Sequence, residues 1–304
     1  MRSPPAEVDV GDALIVALLR DQFPELTGEV RIVAAGWDNV IARVGDDLCV
    51  RMPRRALSAP LVQHEADWLA RLAPALPVDV PTPVAIGQPG LHFPWTWLVC
   101  PWFDGRPLTD VAVDDRILLA AQLGEFVSAL HRPAPKDAPV SPWRGIALSE
   151  VEPSMVERLG QIPPADAATL SAVWSRCVHS PRHDGPPIWL HGDLHPLNVL
   201  AHLDAAPALR AVIDWGDLCC GDPATDLAIA WLAFDERGRA AFRAAASRRH
   251  PLDDPVWDRA LGWAISLGLL FMLDAERGTP AHGVGEHLLA QLRLGGAASG
   301  PTSG

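Results

Sequence analysis

The stretch His191-Gly-Asp-Leu-His-Pro-Leu-Asn198, followed by Val212-Ile-Asp214, decides the fold and the chemistry of this chain. Two short apolar runs, one beginning at Asn198 and the other ending at Asp214, are predicted to pair as a β-hairpin. Hairpin partners lie close in space, so these two side chains are predicted to face each other. Two oxygen ligands at one place suit Mg²⁺, a hard cation that keeps several waters and takes few protein ligands.

Asp193 lies in the same loop, upstream of Asn198, and can therefore point at an acceptor hydroxyl. Phosphoryl transfer needs a carboxylate that orients the hydroxyl and accepts its proton, metal ligands for the phosphate oxygens, and positive groups for the developing charge. An ordinary aspartate suffices, because the proton leaves late in a loose transition state. The segment predicts transfer of a phosphoryl group from a nucleoside triphosphate to a hydroxyl of a small molecule.

The spacing His191-x-Asp193-x-x-x-x-Asn198 resembles the catalytic loop of protein-kinase-like enzymes, and Ile213-Asp214-Trp215 occupies the place of their Asp-Phe-Gly. The longer string HGDLHPLNVL … AVIDWGDLCCGDPATDLA is similar to the aminoglycoside phosphotransferase family, including its macrolide kinase relatives. The resemblance covers most of the chain, with its diagnostic motifs between Trp189 and Trp231. It implies a two-lobed, protein-kinase-like α+β fold, with a small antiparallel-sheet N-lobe and a mainly helical C-lobe.

The same resemblance implies a role for each polar residue of the segment. Asp193 would be the catalytic base, and Asn198 and Asp214 would be the Mg²⁺ ligands. His191 would brace the loop, and Asp226 would be the structural carboxylate that holds it by hydrogen bonds.

His195 is a further candidate for the catalytic machinery, because many protein kinases have a lysine near the γ-phosphate at this position. Two roles stay open for this residue. It either contacts phosphate or shapes the loop before Pro196.

The N-terminal part departs from the kinase pattern in two places. The phosphate-covering turn contains Gly36 and Asn39 but no G-x-G-x-x-G motif. Arg51 stands at the place of the usual strand lysine, and the only lysine of the chain, Lys136, lies far along the sequence. An arginine can bind phosphate and pair with a carboxylate in a forked geometry, and Glu65 on the following helix is the expected partner.

The hinge between the lobes is expected at residues 99–103, whose backbone, including that of Cys100, would contact the purine edge. Trp97, Trp102 or Leu200 would flank the base. Backbone contacts do not distinguish ATP from GTP, so either is the expected donor. The acceptor pocket is expected to involve the insertion and the C-terminal helices. Its acidic candidates are Asp217, Asp253, Asp254, Asp258, Asp274 and Glu276.

Hydrophobic spacing gives the secondary structure and the domain organisation. An N-terminal nucleotide-binding lobe is expected at 1–100 and a C-terminal catalytic lobe at 101–294, with a proline-rich insertion of weak helical patches at 132–187 and a disordered tail at 295–304. Helices are predicted at 13–23, 61–72, 118–131, 226–234, 254–273 and 284–294, and strands at 31–35, 41–44, 47–52, 95–100, 198–202 and 209–214.

Composition excludes several classes of protein. The 304 residues are 49% hydrophobic and carry a net charge of −12, which argues against a non-specific nucleic-acid binder. The five cysteines form no Cys-x-x-Cys pair, and the N-terminus shows no signal peptide. The longest apolar stretch, 260–273, is too short to span a bilayer and is predicted to be a buried helix. We expect a cytoplasmic monomer or homodimer, with a small hydroxylated molecule as its partner and neither nucleic acid nor membrane.

Three alternatives remain beside this interpretation. Asp193-Leu-His195 is also a D-x-H motif, which metallophosphoesterases use to bind two metals, but no Gly-Asn-His occurs here. The missing lysine leaves room for a non-catalytic nucleotide-binding scaffold. Within the kinase class, the acceptor is either an antibiotic, such as an aminoglycoside or macrolide, or a housekeeping metabolite such as choline, a sugar or an amino alcohol.

Overall fold

The structure is a computed structural model that describes residues 5–203 and 207–298. The chain forms two compact units. The N-unit comprises residues 5–104 together with Ala211–Leu218, and the C-unit comprises residues 105–203, 207–210 and 219–298. The predicted Asp-Phe-Gly-like segment around Asp214 therefore belongs to the N-unit, although it follows the catalytic loop in sequence.

The N-unit is built on a five-stranded antiparallel sheet in the order β1-β2-β3-β5-β4. Side chains of β2 and β3, including Val40, Ala42, Val50 and Met52, join the apolar core beside Trp97. β-Branched and apolar residues favour such a pleated, half-buried surface. The elements are α1 (Asp12–Gln22), β1 (Val30–Ala35), β2 (Asn39–Val44), β3 (Leu48–Pro53), α2 (Ala59–Leu72), β4 (Ala85–Gly87) and β5 (Trp97–Pro101).

The C-unit is mainly helical, as predicted, and with the antiparallel sheet of the N-unit it confirms the α+β class. Two small sheets carry the catalytic segment, one pairing β7 with β10 and the other ordered β6-β8-β9. The strands are β6 (Arg106–Pro107), β7 (Ile188–Leu190), β8 (Val199–His202), β9 (Ala208–Val212, which continues into the N-unit) and β10 (Cys219–Gly221). The helices are α3 (Ile117–Leu130), α4 (Glu152–Leu159), α5 (Pro164–Val178), α6 (Ala224–Leu227), α7 (Ile229–Ala233), α8 (Glu236–Ala246), α9 (Val256–Asp274) and α10 (Pro280–Ala298).

Helix α9 is the central helix of the C-unit, and its side chains are buried on all sides over most of its length. Among the described residues it is the one helix long and apolar enough to cross a membrane by length and composition. Most of it is buried inside the protein, and core helices of soluble proteins meet the same criteria. The predicted buried helix at 260–273 is therefore present as part of α9.

The structure differs from the sequence expectation at three helices. The insertion contains a full helix, α5, which begins at Pro164 and buries Leu170, Trp174 and Cys177, so the prediction of weak helical patches was wrong there. Helix α8 is rich in Ala and Arg and was missed, because Phe242 is its only large apolar residue. Helix α10 continues to Ala298, where the sequence predicted a disordered tail from 295; alanine favours helix, and the rest of that tail lies outside the described residues.

Candidate functional site

The catalytic loop follows β7 directly and is held by hydrogen bonds within the C-unit. Gly192 has a φ of +86°, a left-handed conformation that glycine adopts without steric cost. The backbone N–H of Asp193 donates to Nδ1 of His191 at 3.2 Å, and His191 itself is fully buried. His191 therefore contacts the backbone of the residue that the loop presents, and its role as a brace stays a prediction.

Asp226 lies beneath this loop and is fully buried. Its Oδ2 accepts from the backbone N–H of His191 at 2.7 Å, and its Oδ1 accepts from that of Gly192 at 2.9 Å. The carboxylate thus satisfies two buried backbone donors that no secondary structure would satisfy. This is the contact pattern expected of a carboxylate that holds the catalytic loop.

Two buried histidines, which no sequence motif marks, extend the Asp226 contact. Nε2 of His131 lies 3.2 Å from Oδ2 of Asp226, and Nδ1 of His131 lies 2.8 Å from Nε2 of His250. A carboxylate only accepts, so His131 donates through Nε2; which ring donates in the contact between His131 and His250 depends on their tautomers. Burial, followed by the proximity of His131, lowers the pKa of His250 to about 2.

The low pKa of His250 predicts a dependence of stability on pH. In the unfolded chain this imidazole takes a proton near pH 6.5, whereas in the folded protein it stays neutral down to about 2. The unfolded state therefore binds more protons between these values, and stability falls as pH falls below about 6.5. From this group alone we expect a loss of about 1.4 kcal/mol per pH unit. In urea unfolding at pH 4–7, the free energy of unfolding of His250→Gln should fall less steeply with decreasing pH than that of the unsubstituted protein.

The matched control for that experiment is His202→Gln, at an exposed position at the end of β8. Its slope should equal that of the unsubstituted protein. An unchanged slope in His250→Gln would contradict the assignment of a neutral buried imidazole.

Asp193 has two charged or polar partners, one at each carboxylate oxygen. Nη2 of Arg144 donates to Oδ1 at 2.9 Å, and Nε2 of His195 donates to Oδ2 at 3.2 Å. Burial alone would raise the pKa of Asp193, but the charges of His195 and Arg144 hold this pKa well below its usual range. The candidate base is therefore ionised at neutral pH. Arg144 lies in the insertion and was not predicted, because no motif marks it.

Asn198 and His195 complete the loop. Nδ2 of Asn198 donates to the carbonyl oxygen of Asp193 at 3.0 Å and lies 3.2 Å from Nε2 of His195. The amide nitrogen of Asn198 is therefore used inside the loop, which leaves the amide oxygen for a cation. His195 is buried and packs edge-to-face on Phe271 at 4.9 Å. Its contacts are those of a residue that shapes the loop, and a phosphate contact remains a prediction.

A second group of candidate residues lies in the N-unit, around Arg51. Nη2 of Arg51 donates to Oε1 of Glu65 and to Oδ1 of Asp214, both at 2.9 Å. The predicted pair between Arg51 and Glu65 is present, and Asp214 is a third member that sequence spacing did not link to it. Burial alone would lower the pKa of Arg51, but the two carboxylates raise it. Burial raises the pKa of Glu65 to about 7.

Asp214 has two further properties typical of functional positions. Its φ is +62°, an uncommon conformation for a residue other than glycine, and such outliers cluster at active sites. Its side chain is 52% exposed although Arg51 beside it is buried. An exposed carboxylate here and the amide oxygen of Asn198 are ligand types that fit Mg²⁺. Among the described residues no group of three or more His, Cys, Asp or Glu side chains could hold a metal.

The turn between β1 and β2 contains the other candidates for phosphate contact. The N–H of Gly36 donates to the carbonyl of Asn39 at 2.9 Å, which closes the turn. Arg54 donates to the carbonyl of Gly36, and Arg55 pairs with Asp38 at 2.8 Å, so both arginines hold this turn. Asn39 is buried, and its Oδ1 makes no hydrogen bond within the described part of the chain.

The two hinge candidates differ in their surroundings. Cys100 is buried in β5, opposite Cys49 of β3, and its thiol pKa is raised by burial. Trp102 is partly exposed; its backbone N–H donates to the carbonyl of Asp47 at 2.7 Å, and its indole donates to Asp104 at 2.9 Å. The ring of Trp102 therefore lies near solvent, whereas the side chain of Cys100 does not.

The acidic pocket candidates do not form one cluster. Asp253, Asp254 and Asp258 line a cavity of about 450 Å³, whose lining also includes Arg176 and Arg243 but no residue of the catalytic loop. Asp254 in addition accepts from the N–H of Val256 at 2.7 Å at the start of α9, as a helix cap does. Asp274 interacts electrostatically with Arg158 instead.

Known proteins show the same sequence pattern and the same fold. A sequence model described as "Phosphotransferase enzyme family" matches residues 29–263. The GDP and kanamycin complex of APH(2")-IIia is 21% identical, with a TM-score of 0.70 over 93% of this chain and 99% of that chain. The GDP complex of aminoglycoside 2'-phosphotransferase-IIIa is 20% identical, with a TM-score of 0.71 over 94% and 100%.

A third similar structure is that of macrolide 2'-phosphotransferase MphH from Brachybacterium faecium, crystallised as the apoenzyme. It is 21% identical, with a TM-score of 0.58 over 91% of this chain and 98% of that chain. Among curated proteins, none matches the sequence. At these identities the likeness shows the fold, and it confirms the predicted protein-kinase-like architecture.

Proposed function

Because the chain belongs to the phosphotransferase enzyme family, we propose that it transfers the γ-phosphate of ATP or GTP to a hydroxyl group of a small molecule. The observation that carries the proposal is the geometry at Asp193. Its carboxylate is ionised, and its loop is fixed by Asp226 and Asn198. Positioned carboxylates of this kind orient an acceptor hydroxyl in phosphoryl transfer.

In the proposed reaction the acceptor oxygen attacks the γ-phosphorus in line. A new oxygen–phosphorus bond forms as the bond to the bridging β,γ-oxygen breaks, and the nucleoside diphosphate leaves with that electron pair. The hydroxyl proton passes to the carboxylate of Asp193. His191 and Asp226 keep this carboxylate in place through the backbone, and His195 supports its second oxygen.

The nucleotide side of the proposal rests on Arg51. This side chain is buried between Glu65 and Asp214, and an arginine fixed in this way can donate its remaining N–H groups to phosphate. The turn of Gly36 and Asn39 would cover the phosphates. The backbone of Cys100 and the ring of Trp102 would contact the purine.

The proposed metal ligands are Asn198 and Asp214. Both offer an oxygen, and Mg²⁺ held by them would neutralise charge on the phosphate oxygens of the donor. Of the other residues, Asp193 takes the proton, and Arg51, which donates to Oδ1 of Asp214, holds phosphate.

We further propose that the acceptor is an antibiotic of the aminoglycoside or macrolide type, as the similar enzymes are described by those compounds. The test is a screen with Mg²⁺, ATP or GTP, and a panel of aminoglycosides, macrolides, choline, sugars and amino alcohols. Nucleoside diphosphate release and the mass of the phosphorylated acceptor are measured. If only a metabolite were phosphorylated, that metabolite would replace the antibiotic as the proposed acceptor. Nucleotide binding without turnover would favour a non-catalytic scaffold.

All five cysteines are buried and none forms a disulfide, which suits the proposed cytoplasmic location. The proposed partner is the small hydroxylated acceptor alone.

Replacing Arg51 should weaken nucleotide binding. For Arg51→Ala we expect KM for the nucleotide to rise about 10–100-fold, since a hydrogen bond between charged groups contributes about 1.5–3 kcal/mol. Arg51→Lys should keep most of the affinity, because it restores the residue that kinases have at this position. Steady-state kinetics at fixed acceptor concentration measures both, with thermal unfolding to verify the fold.

The control for this experiment is Arg20→Ala, an exposed arginine of α1 in the same unit. It should leave nucleotide kinetics unchanged. Equal KM values for Arg51→Ala and the unsubstituted enzyme would contradict the phosphate-binding role.

A further inference from the structure

We propose that Arg144 is a further catalytic residue, whose guanidinium binds the phosphoryl group during its transfer. This inference rests on the proposed function, because it takes Asp193 as the residue that holds the acceptor hydroxyl. Arg144 belongs to no kinase motif and lies 49 residues before Asp193 in sequence.

The first argument is distance. Nη2 of Arg144 lies 2.9 Å from Oδ1 of Asp193, and the two side chains are 17% and 26% exposed, so a ligand can reach both. An acceptor hydroxyl on Asp193 brings the attacked phosphorus to about 3–3.5 Å from that hydroxyl oxygen. A guanidinium that contacts the base is therefore within side-chain reach of the transferring group.

The second argument is that the backbone around Arg144 is fixed. The N–H of Arg144 donates to Oγ of Ser141 at 3.2 Å. The N–H of Gly145 donates to Oγ1 of Thr225 at 3.0 Å, and its carbonyl accepts from the N–H of Asp222 at 2.8 Å. These contacts fix the backbone of Arg144, from which its side chain extends, and that of the following residue.

The backbone of Gly145 packs closely against the sheet of β7 and β10, which leads into the catalytic loop. Its φ is +66°, and a Cβ here would lie 2.8 Å from Cδ1 of Leu190 and 3.0 Å from Cα of Gly221. Leu190 ends β7, the strand that leads into the loop. The backbone next to Arg144 therefore packs on the strand that leads to Asp193. Rigid support of this kind preorganises a catalytic group.

The third argument is charge. The transferring phosphoryl group needs a cation on its non-bridging oxygens, and an arginine presents two parallel N–H donors that match them. The neighbouring Arg158 is not equally placed, since it donates to Oγ of Ser266 at 3.0 Å. When the acceptor hydroxyl takes Oδ1 of Asp193, the guanidinium of Arg144 moves from that oxygen to the phosphoryl oxygens. The bonds made and broken are those of the proposed transfer, and Arg144 keeps its protons.

The test compares Arg144→Ala, Arg144→Gln and Arg144→Lys, with Arg182→Ala as control. Arg182 is an exposed arginine of the same insertion that donates to Ser149. For the Ala and Gln variants we expect kcat on the pH plateau to fall about 10²–10³-fold, as for loss of one donor to a developing oxyanion. KM values should change little, Lys should restore part of kcat, and Arg182→Ala should behave like the unsubstituted enzyme.

A merely electrostatic role would give a different result. If Arg144 only lowered the pKa of Asp193, which His195 and His191 also face, its loss would move the acid limb of the kcat/KM profile and leave the plateau kcat unchanged. That outcome would overturn the proposal. Thermal unfolding of each variant separates these effects from misfolding, and Gln and Lys keep the test valid if Ala does not fold.

A binding measurement makes the test independent of the acceptor. Calorimetric titration with Mg²⁺ and ADP or GDP, with and without aluminium fluoride, compares the nucleotide alone with a mimic of the transferring phosphoryl group. The unsubstituted protein should bind the fluoride complex at least about 100-fold more tightly, as transition-state analogues do, and Arg144→Ala should lose this difference. If aluminium fluoride tightened nucleotide binding equally in Arg144→Ala and in the unsubstituted protein, only the role of Arg144 would be overturned. If the unsubstituted protein bound no nucleotide, the proposed function would be overturned as well.

Discussion

Asp193→Asn should lower kcat about 10²–10⁴-fold, the contribution typical of a positioned proton acceptor. The substitution keeps the size of the side chain and one oxygen, so one of the two donors, Arg144 or His195, keeps its acceptor. It removes the negative charge that accepts the hydroxyl proton. The KM for the nucleotide should stay within a few-fold, since no nucleotide contact is assigned to this side chain. Steady-state and single-turnover kinetics with the acceptor found by screening measure both quantities.

Asp184→Asn is the matched control, because Asp184 is exposed and lies in the same unit. It should leave kcat unchanged. Near-full activity of Asp193→Asn, with the phosphorylated product verified by mass, would show that another group takes the proton and would remove the basis of the proposed mechanism.

Whether sequence predicted a contact of this site depends on how far apart its residues lie in the chain and whether a motif links them. Asp193, His195 and Asn198 contact one another within a single loop, so a local motif captures them. The pair of Arg51 and Glu65 spans a strand and the next helix, and the resemblance to the lysine–glutamate pair of kinases predicted it. Apolar spacing indicated a sheet followed by helices, and the resemblance of the catalytic motifs implied the protein-kinase-like arrangement.

The missed contacts join residues that no motif connects. His131 and His250 are 119 residues apart; His131 lies at the C-terminal end of α3, and His250 lies four residues after α8. Arg144 meets Asp193 only because the insertion folds onto the sheet of β7 and β10. The chain has many arginines and a single lysine, so residue type alone does not distinguish a catalytic arginine from a surface one. Such contacts arise from packing of distant segments, which a single sequence does not specify.

Asp226→Ala should cost about 3–5 kcal/mol of the free energy of unfolding, the range for removing one partner from a buried charged contact. The carboxylate is fully buried and accepts from the backbone of His191 and Gly192 and from His131. Its loss leaves three buried donors without an acceptor, and each unsatisfied donor costs about 1–3 kcal/mol. Asp226→Asn keeps one acceptor oxygen and should cost less. Urea unfolding followed by tryptophan fluorescence measures the difference.

The same substitution should lower kcat beyond its effect on stability, because the Gly192 backbone that positions Asp193 loses its anchor. A conformational cost of about 1.4 kcal/mol at the loop lowers the rate tenfold. Asp235→Ala is the control: it removes the cap of α8, whose Oδ1 accepts from Gly238 at 2.7 Å. That variant should lose about 1 kcal/mol of stability and keep its kcat. If Asp226→Asn, measured well below its unfolding temperature, kept full kcat, the buried carboxylate would be a contributor to folding alone, and the loop would hold Asp193 in place without it.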